Sequence, residues 1–123
     1  MINDKSIIKT NNIGKNTQVG SFCAVEQNAT IGNNCNIGCY CYIDNDVVIG
    51  DNVTINNGTY IYKNTIIENL VQIGSYVVIG DKTETERKTI IGENSVIPTR
   101  CIINSGARLN KNTVLKPCEV FVN

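Results

Sequence analysis

The chain has 123 residues, and its 11 Lys and Arg are matched by 11 Asp and Glu, so it carries no net charge. That length suits one domain, and the charge balance argues against a phosphate-tracking nucleic-acid binder or a polybasic membrane anchor. There is neither His nor Trp, which removes Ser-His-Asp and Cys-His nucleophiles and every imidazole metal site, so no metal is expected. No apolar run approaches the ~20 residues of a membrane span. The opening Met1-Ile2-Asn3-Asp4-Lys5 is too polar for a signal peptide, so the expected setting is the cytoplasm.

From Ile7 to Phe121 every sixth residue is aliphatic or Phe, with Thr85 the one exception. Neither the 3.6-residue period of a helix nor the two-residue period of an alternating strand produces strict sixes. Four residues after each aliphatic, from Thr17 to Thr113, stands Ser, Thr, Ala, Val or Cys. The ten glycines occupy only two registers, one directly after the aliphatic and one three after it, and the second is shared with a series of asparagines. Gly and Asn tolerate a left-handed backbone, so that register reads as a bend. Each unit is then a short strand and a turn, with the aliphatic and the small residue two before it pointing inward. Three units make one triangular coil of 18 residues, and about six coils stack at ~4.8 Å as parallel strands.

Units such as Ile31-Gly32-Asn33-Asn34-Cys35-Asn36 and Ile49-Gly50-Asp51-Asn52-Val53-Thr54 resemble those of the hexapeptide-repeat acyltransferases. The resemblance runs from residue 7 to about 121 and implies an all-β, left-handed parallel β-helix forming a single domain over 1–123. It further implies CoA-dependent acyl transfer by trimers whose active sites lie between neighbouring prisms. γ-Class carbonic anhydrases share the repeat but need His ligands that this chain lacks.

Residues 18 apart stack, so three edges can be compared. A first edge carries Lys15, Asn33, Asp51 and Asn69, and a second carries Lys9, Gln27, Asn45 and Lys63; both read as solvated turns. The third runs Ser21, Cys39, Asn57, Ser75, with Phe22, Tyr40, Gly58 and Tyr76 beside it. Aromatics replace the favoured Asn there, which turn chemistry does not explain. The face leaving this edge exposes Ala24, Tyr42, Tyr60 and Val78, an apolar stripe expected to be the homotrimer interface. An aromatic ladder that only stabilises the sheet is the alternative.

Along the chain, Cys23, Cys35, Cys41 and Cys101 take the small inward register and read as packed thiols, while Cys39 faces the third edge, where a reactive thiol is conceivable. The stretch 53–62 resembles the middle coils of nucleotide-sugar N-acetyltransferases, which places Asn57 near the acceptor sugar. The stretch 67–80 resembles the catalytic coil of lipid-A pathway glucosamine N-acyltransferases, with Ser75 at the position of their catalytic His. Asn57 and Ser75 fall one coil apart and bracket a candidate pocket lined by Phe22, Tyr40, Tyr62 and Tyr76. Coil-edge N–H groups are candidate oxyanion donors. Without His the proton goes to Glu68, Tyr62 or Tyr76, to water, or to the leaving thiolate.

Six of the eight residues of Asp81-Lys82-Thr83-Glu84-Thr85-Glu86-Arg87-Lys88 are charged. They form either a coil edge that admits Thr85 to the core or a loop leaving the prism. In the last coils, Arg100, Arg108, Lys111 and Lys116 are the residues the resemblance sets against acetyl-CoA, or else scattered surface charge. The expected activity is N-acetylation of an amino sugar or nucleotide-linked sugar. A catalytically inactive scaffold or binding module is the competing expectation.

Overall fold

A computed structural model describes residues 1–83 and 86–122. The described strands are parallel and fall into three sheets of seven, five and five. One sheet, the tyrosine face, stacks Ile7–Ile8, Ala24–Val25, Tyr42–Ile43, Tyr60–Ile61, Val78–Ile79, Ile102–Ile103 and Val120–Phe121. A polar face stacks Gln18–Val19, Asn36–Ile37, Thr54–Ile55, Gln72–Ile73 and Val96–Ile97. The remaining face stacks Thr30–Ile31, Val48–Ile49, Thr65–Ile67, Thr89–Ile91 and Arg108–Leu109. The result is a parallel β-solenoid of about six turns.

The six-residue period produces this shape because its two inward positions fill a narrow triangular interior. The largest fully buried side chains are all isoleucine, including Ile31, Ile37, Ile43, Ile49, Ile55 and Ile61. Burying each contributes roughly 1.5–3 kcal/mol, and a β-branched chain suits a strand. The small register is satisfied differently. Its hydroxyls and thiols donate to the carbonyl fifteen residues ahead: Thr17 Oγ1 to Gly32 at 2.7 Å, Thr59 Oγ1 to Gly74 at 2.8 Å, Cys23 Sγ to Gly38 at 3.0 Å and Cys35 Sγ to Gly50 at 3.1 Å. The inward cysteines are therefore coil-to-coil donors as well as packing.

From Asn16 (59°) to Cys118 (62°) the described bend three residues after each aliphatic has a positive φ, except after Ile79, where Gly80 (85°) takes it in place of Lys82. On the first two edges most of these are Asn or Asp. On the third they are Phe22, Tyr40, Gly58, Tyr76, Arg100 and Cys118.

The stacking interval is 18 residues, as in Tyr42 opposite Tyr60, except at the start and in one later coil. At the start Ile7 lies opposite Ala24, an interval of 17, and the expected phase is corrected there because Ile8 packs on the core and Ile7 is exposed. Thr65 pairs with Thr89, Gln72 with Val96 and Val78 with Ile102, an interval of 24, after which Ile90 opposite Arg108 restores 18. Ile67 pairs directly with Ile91, so no unit intervenes between them. The six additional residues fall between Val78–Ile79 and Thr89–Ile91; within that stretch Glu84 and Thr85, including the core placement considered for Thr85, lie outside the described residues.

Ile37→Ala should lower unfolding free energy by about 2–5 kcal/mol, as core truncations do. The outward neighbour Asn36→Ala should change it by under about 0.5 kcal/mol; chemical denaturation compares the two.

Candidate functional site

The third edge brings Asn57 and Ser75 onto adjacent coils, with Cys39 one coil below and Thr99 one above. The bend amides bind the ladder beneath them: Tyr40 N–H donates to Ser21 O, Gly58 N–H to Cys39 O, Tyr76 N–H to Asn57 O and Arg100 N–H to Ser75 O, each at 2.9 Å. The neighbouring amides are also engaged, Cys39 N–H with Asn57 Oδ1 at 2.8 Å and Ser75 N–H with Thr99 Oγ1 at 3.4 Å. These six amides hold one coil to the next and are not free to act as oxyanion donors; the Asn57 N–H is not among them.

Asn57 carries out a task repeated on the first edge. Asn33 Oδ1 accepts from Lys15 N–H, Asp51 Oδ1 from Asn33 N–H and Asn69 Oδ1 from Asp51 N–H, each at 2.8 Å. Its carbonyl oxygen is therefore structural, and Nδ2 is the part suited to a ligand. Ser75 is half-buried beside it.

The aromatic column is ordered by stacking and by cations. Phe22 and Tyr40 stack at 5.4 Å with planes 16° apart, Lys5 Nζ lies 5.8 Å from the Phe22 centroid, and Arg100 lies 5.3 Å over Tyr76. Gly58 is required here: a Cβ on it would sit 2.6 Å from the Tyr76 ring, at a φ of +72° that disfavours L side chains. Left-handed backbone costs roughly 1–2 kcal/mol for an ordinary L-residue. Three exposed aromatics on one edge thus bear a cost that Asn or Gly would reduce, which points to the edge as functional.

Other expected partners do not converge. Tyr62 lies on the second edge, grouped with Tyr42 at 5.9 Å and Tyr60 at 6.3 Å, not with Phe22, Tyr40 and Tyr76. Glu68 lies on the first edge, where Oε1 accepts from Glu93 N–H at 3.0 Å, so within one chain it does not meet Ser75. Of the four cations, Arg100 and Lys116 lie on the third edge, Lys111 lies on the first, and Arg108 is on the strand between the second and first edges. The six-residue spacing separates them from one another, and the long coil before them decides which edge each one faces.

Burial and the Asp44 carboxylate, which accepts from Tyr42 Oη at 3.0 Å, push the Tyr42 phenol up to about 12; burial also pushes Tyr62 up. Neither phenol is a proton acceptor near neutrality. Burial raises the thiols of Cys35 and Cys101. Among the described residues no cluster of three Cys, Asp or Glu could hold a metal, and no helix is long and apolar enough to cross a membrane.

A cavity of about 540 Å³ that spacing did not reveal opens on the second edge, lined by Tyr62, Gly80, Lys82, Arg87, Asn104 and Ser105 among others. Its signal in the sequence was the charged run 81–88, but the residues completing it come from the next coil.

The family model for the bacterial transferase hexapeptide (six repeats) matches residues 12–45 and 46–81. The chain belongs to the bacterial hexapeptide-repeat transferases. No curated protein sequence matches it. Among solved structures, a mutant perosamine N-acetyltransferase from Caulobacter crescentus, in complex with CoA and GDP-perosamine, is 13% identical with a TM-score of 0.71, over 92% of this chain and 49% of that one. WeeI from Acinetobacter baumannii AYE is 27% identical with a TM-score of 0.68, over 90% and 50%. AntD, an N-acyltransferase from Bacillus cereus in complex with dTDP and 3-hydroxybutyryl-CoA, is 18% identical with a TM-score of 0.65, over 92% and 70%. The chain thus spans about half the length of the first two structures it matches.

The raised Tyr42 pKa carries a sign. The folded state holds this proton more tightly than the unfolded chain, so its contribution is full below pH 10 and is lost as pH rises toward about 12. Melting temperature should fall over that interval, and less steeply in Tyr42→Phe.

Proposed function

We propose that the chain is a CoA-dependent acyltransferase of the cytoplasm, an N-acetyltransferase of an amino sugar or nucleotide-linked sugar, working at the third edge. The observation that carries this reading is the run of exposed aromatics held in left-handed bends beside Asn57 and Ser75. Family membership supports acyl transfer in general, and two of the similar structures hold CoA or an acyl-CoA beside a nucleotide or nucleotide sugar.

In the reaction the acceptor amine attacks the thioester carbonyl, a C–N bond forms as the C–S bond breaks, and the amine proton ends on the departing thiolate. Asn57 Nδ2 and the Ser75 hydroxyl orient the acceptor, and Phe22, Tyr40 and Tyr76 supply apolar walls. Neither an imidazole nor a carboxylate stands in the column of Asn57 and Ser75, so the proton travels through water. General-base help is worth about 10²–10⁴-fold, so turnover is slow. Arg100 and Lys116, on the same edge, are the cations suited to the coenzyme phosphates, while Glu68, Arg108 and Lys111 reach the reaction only from a neighbouring copy.

The assembly is a homotrimer through the tyrosine face. Its outward residues are apolar over the whole rod, from the exposed Ile7 through Tyr60 and Ile102 to Val120. Light scattering should give the mass of three chains, and Tyr60→Glu should give one. A monomeric wild type at micromolar concentration overturns this assembly.

A second reading, a scaffold without catalysis, is favoured by the engaged edge amides and the absent imidazole. Acetyl-CoA at 100 times Kd should stabilise an enzyme by about 2.7 kcal/mol and a scaffold not at all. Ser75→His should then raise turnover about 10²-fold or more; absence of turnover in both forms defeats the enzyme reading.

A further inference from the structure

The polar face carries no charge on its outward rows. One row reads Gln18, Asn36, Thr54, Gln72 and Val96, and the row beside it, next to the third edge, reads Gly20, Gly38, Asn56, Gly74 and Pro98. Strand pairing stacks Thr54, Gln72 and Val96, and with them Asn56, Gly74 and Pro98. Gly74 is bare by necessity, because a Cβ there would lie 2.5 Å from Thr99 N and 2.8 Å from the Pro98 carbonyl carbon. No side chain therefore stands between those of Asn56 and Pro98. A cavity of about 230 Å³ opens there, lined by Thr54, Asn56, Gln72, Gly74, Val96 and Pro98 among others. Asn57 and Ser75 directly follow Asn56 and Gly74, so the cavity adjoins the edge where acyl transfer is proposed.

Its lining narrows what it can hold. Among the described residues no charged side chain lines it, whereas the second-edge cavity has Asp81, Lys82 and Arg87, and a first-edge cavity has Glu68, Glu93 and Lys111. The side chains of Thr54, Asn56 and Gln72 are committed to no hydrogen bond within the chain. Primary amides and hydroxyls both donate and accept. A phosphate or carboxylate would find no cation here and would face amide oxygens with oxygens of its own. A ring bearing hydroxyls pairs with both kinds of group, and its C–H face suits Val96 and Pro98. The volume falls below the ~300–1,000 Å³ of sites for drug-sized ligands, which leaves room for one ring and not for a whole nucleotide.

We propose that this cavity seats the hydroxylated ring of the acceptor sugar, with Thr54, Asn56 and Gln72 determining which sugar is taken and the amine directed toward Asn57 and Ser75. The fate of the amine rests on the acyltransferase reading; the binding of the ring does not.

The test is NMR titration of the full chain with glucosamine, galactosamine, their N-acetyl forms and glucuronate, and separately with coenzyme A. At least one amino sugar should bind saturably, and glucuronate should not. Gln72→Ala, Asn56→Ala and Thr54→Val should each weaken that sugar about two- to tenfold, the worth of one neutral hydrogen bond. Gln18→Ala and Asn36→Ala are the controls. They truncate the same kind of side chain on the same face, in a separate cavity beside Met1 and Asn3, and should leave sugar binding unchanged. All five variants should melt with the wild type, since these side chains bond to nothing in the chain. In turnover with acetyl-CoA, the three cavity variants should raise KM for the sugar and leave kcat and the KM for acetyl-CoA as they were. Sugar binding of this pattern without turnover keeps the site and removes the acyltransferase reading. Turnover with a sugar KM indifferent to the three variants does the reverse. Loss of coenzyme A binding in place of sugar binding assigns the cavity to the pantetheine arm and overturns the sugar site. So does the absence of saturable binding by any amino sugar, or equal losses in cavity and control variants.

Discussion

Everything in this rod depends on each coil satisfying the backbone of the next. An isoleucine column excludes water from the interior, which obliges every inward polar atom and every bend amide to find a partner one coil away. The chain meets the demand with a short vocabulary. Small hydroxyls and thiols reach the carbonyl fifteen residues on, and Asn or Asp side chains cover the amide eighteen residues back. A six-residue rhythm serves both at once, because the aliphatic, small and bend registers recur on each of the three sides of an eighteen-residue coil.

That economy determines what the surface can do. On the third edge the groups that look chemical in the sequence are partly consumed: Asn57 by the amide of Cys39, the bend amides by the ladder. What remains is a hydroxyl, one side-chain amide nitrogen and a column of aromatic rings whose backbone strain Asn would relieve. On the function proposed above, such an edge orients a flat or apolar-faced acceptor more than it moves a proton, and acyl transfer there is driven by proximity.

The second edge illustrates the complementary case. Where the interval lengthens to 24, the coil can no longer complete its own bonding scheme, and the consequence is local: one orphaned hydroxyl and one cavity, with the rest of the ladder intact. A solenoid tolerates such a departure because each coil contacts only its neighbours.

The sequence by itself determined the fold, since the sixes, the small register and the Gly and Asn bends each specify a local geometry that admits one global closure. It also singled out the third edge, because aromatics at a left-handed bend contradict local preference. It misplaced Tyr62 among the third-edge aromatics and grouped Glu68 with Ser75 and Asn57, and it treated four cations in the last coils as one set. Tyr62 and Glu68 precede the long coil, so the regular interval of 18 already sets them beside Lys63 and Asn69 on the second and first edges; the cations follow it, and the edge each one faces is set by the longer interval. Which residues stand together depends on the stacking interval, and one coil of 24 shifts every later neighbour by a full side of the triangle without disturbing the phase of the repeat. Which polar atoms are already bonded depends on contacts between coils, and a periodicity carries no record of them.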